Sequence, residues 1–393
     1  MLAAILAAAC LARCATPVTP DLVITNARVF TNDAARPWAE AIAIRRERVV
    51  AIGDTEALRA SAGPSTRVID AGGRVVVPGF NEVRIDLPLG PPTSAALSAL
   101  DRDAISQGVT SLQVVAGGPM RSLVVAAQQA TRQARWRLIR SPEDTTTLST
   151  SDPTTVRQDE DPFLPPQPGV RLVANGVAWA TSGAADRRQI DPTRLTTVLG
   201  WAYGAEDPIV MTGAVEPWLR AMEQAGLAEV WKRKRPRFDN PVDYDDRWVP
   251  HLARYGAVLA VTMPGATPVG AGRRAWYPWA PFADGGVVLA AGSSRALTPS
   301  LALEAMTRVQ PEMPGPRVRT LTREEAVRAM TWGSAYAERA ERDKGWLAPG
   351  TLADLAVLSG DIFTMPAERL AGITSVLTLV GGTIVYDAGV LSK

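Results

Sequence analysis

The side chains in this sequence with the types to do chemistry are mainly arginines, carboxylates and hydroxyls. Arg84 and Asp86 alternate along the strand-like run Phe80 to Asp86, so both point to one face of that strand. Asp239 lies in a second such run, Arg237 to Asn240, and Glu216 stands at the head of a helical stretch. Asp86, Glu216 and Asp239 together would make an all-oxygen site for magnesium, calcium or manganese. Arg84 and Arg171 oppose it, because guanidinium donates no lone pair and repels a cation. Arg84, Arg171 and Arg295, with Asp86 and Asp239 beside them, suit a small anionic ligand instead, a carboxylate or phosphate gripped through bidentate contacts. The plainer alternative pairs Arg84 and Arg171 internally with Asp86 and Asp239, since a buried unpaired charge is costly. Ser293, Ser294 and Thr212 carry hydroxyls, but a serine nucleophile needs a neighbouring base. The single histidine, His251, falls in a stretch that reads as a helix, Asp246 to Tyr255, where a half-exposed surface position is expected. A zinc site takes three or four Cys, His or carboxylate ligands, and the sequence offers no such set.

The elements that must position these residues alternate in type. Eight apolar runs read as strands: Phe80 to Asp86, Val109 to Val115, Trp136 to Arg140, Val170 to Asn175, Ile209 to Thr212, Arg237 to Asn240, Ala257 to Met263 and Val287 to Ser294. Helical stretches lie between most of them, among them Ser94 to Gln107, Met120 to Arg135, Pro217 to Lys232 and Asp246 to Tyr255, and Thr322 with Glu325 makes a capping box. Eight strands in roughly 265 residues predict an α/β fold of the (β/α)8 TIM-barrel type, for which ~250 residues is typical. Residues 141–169 are rich in Thr, Ser, Asp and Pro and read as a long loop at the mouth of the barrel, a lid or an irregular surface segment. Short strands separated by the turns Asn32-Asp33, Gly53-Asp54 and Gly72-Gly73 precede the barrel, and the same texture returns after residue 344. The expected organisation is a leader over 1–20, a β-sandwich from 21–79 and 345–393 built by both termini, and the barrel inserted at 80–344.

The chain has 393 residues, 46% hydrophobic and 21% charged, with a formal net charge of +2. That composition allows a large core, and the near balance of charge excludes nucleic acid as the main partner. The basic run Lys232 to Arg237 reads as a solvated face. Residues 1 to 15 are apolar and suit the h-region of an export signal, although a charged n-region is missing. Cys14-Ala-Thr-Pro resembles a bacterial lipid-attachment site, with Cys10 the alternative. An exported protein, periplasmic or anchored by lipid, is expected, with the cytoplasm as the alternative. Both cysteines lie in this segment, so the body has neither a disulfide nor a thiolate ligand.

Longer motifs carry a resemblance. Asp21-Leu-Val-Ile-Thr-Asn-Ala-Arg-Val-Phe and Val68-Ile-Asp-Ala-Gly-Gly-Arg-Val-Val-Val-Pro-Gly-Phe80 stand at one end. Leu321-Thr-Arg-Glu-Glu-Ala-Val-Arg-Ala-Met-Thr, Gly345-Trp-Leu-Ala-Pro-Gly-Thr-Leu-Ala-Asp-Leu-Ala-Val-Leu358 and Val380-Gly-Gly-Thr-Ile-Val-Tyr386 stand at the other. Over nearly all of Asp21 to Asp387 the chain resembles the amidohydrolase superfamily, particularly its "family 3" branch. The resemblance implies a TIM barrel and hydrolysis of non-peptide C–N bonds by water activated on zinc or another divalent metal. It also implies metal-holding residues where this chain has others. The His-x-His of the first strand corresponds to Arg84 and Asp86, and the lysine of the fourth to Arg171. Thr212 and Asn240 stand where the fifth and sixth strands should carry histidines, and Ser294 where the eighth should carry aspartate.

The expectation is therefore a degenerate member without a cofactor, with no metal ligands and no catalytic residue, acting if at all as a ligand-binding pseudoenzyme. An active hydrolase with an atypical oxygen-ligand metal site is the alternative, and a decayed protein without selected activity is a third. The short stretch between Leu87 and Gly108 speaks for loss, because active relatives usually carry a long insertion there.

Overall fold

A computed structural model of the chain describes residues 19–88, 90–116, 120–140, 172–180, 209–212, 215–226, 228–241, 245–263, 279–294, 297–307 and 319–392. The leader with Cys10 and Cys14, Arg171, Arg295 and the 141–169 stretch lie outside the described residues. Among the described residues no helix is long and apolar enough to cross a membrane.

Eight parallel strands follow one another in chain order across one sheet: β1 (Phe80–Asp86), β2 (Val109–Val115), β3 (Arg135–Arg140), β4 (Leu172–Ala180), β5 (Ile209–Thr212), β6 (Arg237–Asp239), β7 (Val258–Thr262) and β8 (Val288–Gly292). β2, Val-Thr-Ser-Leu-Gln-Val-Val, is buried at every position, as a strand covered on both faces must be. Helices such as Ser94–Ser106 and Met120–Gln129 connect the strands, and Thr93 starts the first of these by accepting the Ala96 N–H.

The result is a mixed α/β fold, but among the described residues the expected barrel is not closed by a strand ladder. β8 and β1 lie side by side, yet the order of the sheet ends on them. Just beyond β8, Ser293 and Ser294 give their backbone N–H groups to the carboxylate of Glu82 on β1. A side chain of β1 thus meets the backbone that follows β8. Gly292 allows the approach, since a Cβ there would lie 2.5 Å from the Glu82 carboxylate.

The strands outside this sheet form two others. One has four strands in the order Arg48–Gly53, Ala41–Arg45, Leu22–Thr25 and Arg67–Asp70. The second has six, in the order Thr383–Asp387, Ser375–Val380, Leu355–Leu358, Val75–Pro78, Arg28–Phe30 and Trp38–Ala39, so both ends of the chain contribute to it. Leu22, Ile24, Ile42 and Ile44 of the first share one buried cluster with Val76, Leu355, Val357 and Leu377 of the second. Burial of such side chains stabilises by about 1.5–3 kcal/mol each.

Two helix readings differ from the structure. The stretch read as one helix, Pro217 to Lys232, is two, Val215–Ala225 and Ala228–Lys234, because Gly226 takes φ +68° and ends the first. Asp246 to Tyr255 opens as a 3-10 turn, Asp246–Trp248, capped by Asp245, before the helix Val249–Arg254. The capping box of Thr322 and Glu325 forms as read, opening Arg323–Arg328.

Candidate functional site at the strand ends

Parallel strands bring their C-terminal ends to one side of the sheet, and there the charged residues of β1 and β6 meet. Arg84 donates from Nε to Asp86 Oδ2 at 2.8 Å and from Nη2 to Asp86 Oδ1 at 2.6 Å, a planar two-point fork. Its Nη1 donates to Asp239 Oδ2 at 3.0 Å. Asp239 ends β6 in register with Thr212, which ends β5. From the opposite side Arg237 donates to Asp239 Oδ1 from Nε at 2.5 Å and to Oδ2 from Nη2 at 2.8 Å. The remaining donors of Arg237 reach Gln113 Oε1 on β2 and the Val83 carbonyl on β1.

Exposure divides this cluster. The side chains of Arg237 and Asp239 are 2% and 1% exposed, Arg84 is 12% exposed, and Asp86 is 52% exposed. Burial works against the charge of Arg84, but Asp86 and Asp239 outweigh it and raise its pKa above the ordinary value. Glu82, two residues back along β1 but across a register shift that lies between Glu82 and Ile85, is fully enclosed. It accepts from Ser293 N at 2.7 Å, Ser294 N at 3.0 Å and the Ser293 hydroxyl. Burial pushes its pKa up to about 7, and these hydrogen bonds pull only part of the way back.

The other residues singled out in the sequence go elsewhere. Asn240 turns its side chain to Thr262 on β7, donating to Oγ1 at 2.8 Å and accepting the Thr262 N–H at 2.8 Å. Ser294 takes φ +57°, a left-handed conformation that costs a non-glycine residue about 1 kcal/mol or more, and directs its N–H at Glu82. Glu216 pairs with Arg220 one helical turn on, at 2.5 Å, and does not join Asp86 and Asp239. His251 lies half-exposed on Val249–Arg254 against the Glu223 carboxylate.

Three residues of the site were not singled out by sequence reading: Arg237, Gln113 and Glu82. The signals were present. Gln113 interrupts the otherwise apolar end of β2, and Arg237 lies two residues before Asp239, hence on the same face. Glu82 is a carboxylate in a run that reads as a strand, but the register shift after it breaks the alternation that would have placed it.

Chemically, the arrangement is a preformed guanidinium fork with one solvent-facing counter-ion. In the structure that fork is filled by the Asp86 carboxylate. It does not fit a divalent cation: among the described residues no group of three or more His, Cys, Asp or Glu stands together to hold one, and the Arg84 guanidinium fills the space between Asp86 and Asp239.

Comparison with known proteins adds three findings. The sequence model of the amidohydrolase family matches residues 212–386. Two curated proteins match short stretches. "Protein LONG AFTER FAR-RED 3" of Arabidopsis thaliana is 33% identical over 73 residues, 19% of this chain and 12% of its own length. "N-substituted formamide deformylase" of Arthrobacter pascens is 40% identical over 60 residues, 15% of this chain and 11% of its own. The chain thus matches about an eighth or less of the length of these relatives. Among solved structures, atrazine chlorohydrolase TrzN from Arthrobacter aurescens TC1, complexed with zinc, superposes with a TM-score of 0.62 at 19% identity, over 93% of this chain and 95% of that one. That likeness is one of fold. It also corrects the expectation of no cofactor, because a protein sharing this fold is a zinc complex.

Proposed function

Taking as premise the amidohydrolase superfamily, which the family match and the shared fold support, we propose that this chain is a member whose strand ends have turned from C–N bond hydrolysis to binding a small anionic ligand. The eight-stranded sheet is then a barrel seated beside a sandwich made by both termini. The observation that carries the reading is the Arg84 fork. At the position where the resemblance calls for a metal-holding residue, a guanidinium lies between Asp86 and Asp239 with all three groups hydrogen-bonded. Water activation on a metal needs electron-pair donors there, and arginine has none to offer. Anion recognition needs oriented donors on a rigid element, which a strand supplies.

The experiment runs two assays side by side on the full chain. One follows turnover of amides, ureas and cyclic imides with zinc, manganese or iron supplied; the other follows binding of small anions by calorimetry. Saturable binding without turnover is expected. Steady metal-dependent turnover that is lost in Asp86→Asn or Asp239→Asn would overturn the reading in favour of a hydrolase with oxygen ligands.

A further inference from the structure

The exposure pattern of the fork says more than that an anion fits. Arg84 and Asp239 are held inside, whereas the carboxylate that fills the fork, Asp86, is half in water. Asp86 is also the last residue of β1, so its side chain lies where the ladder ends. Of the four charged members it is the one already half in water, so it can leave the cluster at least cost as long as another carboxylate takes its place on Arg84. The charges point the same way. Arg84 and Arg237 are two cations around one enclosed carboxylate, Asp239, and Asp86 supplies the single negative charge that brings the cluster to neutrality.

We propose that Asp86 is a resident competitor in a carboxylate-binding fork, and that the ligand is a small monocarboxylate which exchanges with it on Arg84. This rests on the binding function proposed above and specifies its ligand class. A ligand carboxylate reproduces both the two-point geometry and the one charge that Asp86 gives up, and the released Asp86 completes a hydration it already half has. A dianion such as phosphate or sulfate would bring a second negative charge next to Asp239, which repels it in this partly enclosed site. A cationic ligand would meet Arg84. No bond is made or broken in the exchange.

The test is binding of acetate and benzoate to the full chain by calorimetry, with sulfate, guanidinium and acetamide as the dianionic, cationic and neutral probes. A competitor that fills the fork nine-tenths of the time hides about tenfold of the intrinsic affinity. Asp86→Asn is therefore expected to bind both carboxylates about tenfold more tightly than the natural protein. Arg84→Lys, which keeps the charge and breaks the fork, is expected to bind them at least as weakly as the natural protein. Asp86→Ser is the second variant should the asparagine hydrogen-bond to Arg84 in place of the aspartate. Equal or weaker carboxylate affinity in both Asp86 variants overturns the exchange, as does tighter binding of sulfate than of acetate. If acetamide or guanidinium binds in an Arg84-dependent way while carboxylates do not, the carboxylate inference falls and binding at the strand ends stands. If none of the probes binds any of the proteins, both fall together.

Discussion

Two charged clusters lie at opposite ends of the central sheet, and they differ in one respect. At the C-terminal ends of the strands the Arg84, Asp86, Asp239 and Arg237 cluster has a half-exposed member. At the N-terminal ends the cluster around Glu338 is enclosed: Glu338 and Lys344 are each 8% exposed and pair at 2.6 Å, Arg137 is 9% exposed and lies 3.9 Å from Glu338, and Asn81 on β1 donates to Glu338 at 2.6 Å. Lys344 also donates to Ser111 on β2 at 2.6 Å, and nearby Arg135 forks onto Asp354, tying β3 to Leu355–Leu358 and so to the six-stranded sheet. Burial disfavours the charge on Glu338, but Lys344 and Arg137 outweigh it and hold its pKa below the ordinary value. A cluster with every partner inside ties elements together and cannot be opened cheaply. One with a partner in water can trade that partner for something else.

The difference can be broken first at the enclosed end. Glu338→Ala leaves Lys344 and Arg137 buried without their carboxylate, and a loss of roughly 3–5 kcal/mol in urea unfolding is expected. A loss below 1 kcal/mol would mean that water reaches this end and relieves the unpaired charges.

Next is Glu82, which bridges β1 and β8 without a cation among its hydrogen-bond partners. With a folded pKa of about 7 against an ordinary 4.5, the folded state holds its proton over a range where the unfolded chain has lost it. The contribution is fully present below pH 4.5 and is lost as the pH rises towards 7, at most about 3 kcal/mol in all. Stability of the natural protein should therefore fall between pH 5 and pH 7.5 by more than that of Glu82→Gln, and parallel pH profiles for the two would remove this role from Glu82.

The smallest expected effect is at the open end. Asp86→Asn removes half-exposed pairing, so unfolding should change by less than ~1 kcal/mol, even where carboxylate binding changes about tenfold. A stability loss on the scale of Glu338→Ala would make the two clusters alike and deprive Asp86 of its freedom to exchange.

Much of the molecule was legible before any contact was known. The runs at β1, β2, β3, β5, β6, β7 and β8 match the strands within a residue or two: β2, β5, β7 and β8 read as near-continuous apolar sequence, as strands covered on both faces do, while β1, β3 and β6 alternate apolar with charged residues. The fourth run, Val170 to Asn175, is offset against the strand Leu172–Ala180. The Thr322 capping box is a purely local device and reads directly. The helix read through Gly226 shows where local reading stops, since periodicity continues on either side of a residue whose positive φ ends the first helix. The candidate site was legible only in part. Alternation along β1 put Arg84 and Asp86 on one face, but nothing local says that Arg237, in a basic run that reads as a solvated surface, is buried against β1 and β2.

What the sequence determined by itself, then, is the list of elements and the residue types at the strand ends, both products of short-range pattern. Which charges pair, which of them are enclosed, and that the side chain of Glu82 meets the backbone beyond β8 were decided by tertiary structure. The reason is physical: the free energy of a charge depends on its distance to partners and to water, and residues 84 and 239 become neighbours only once six strands have been laid side by side.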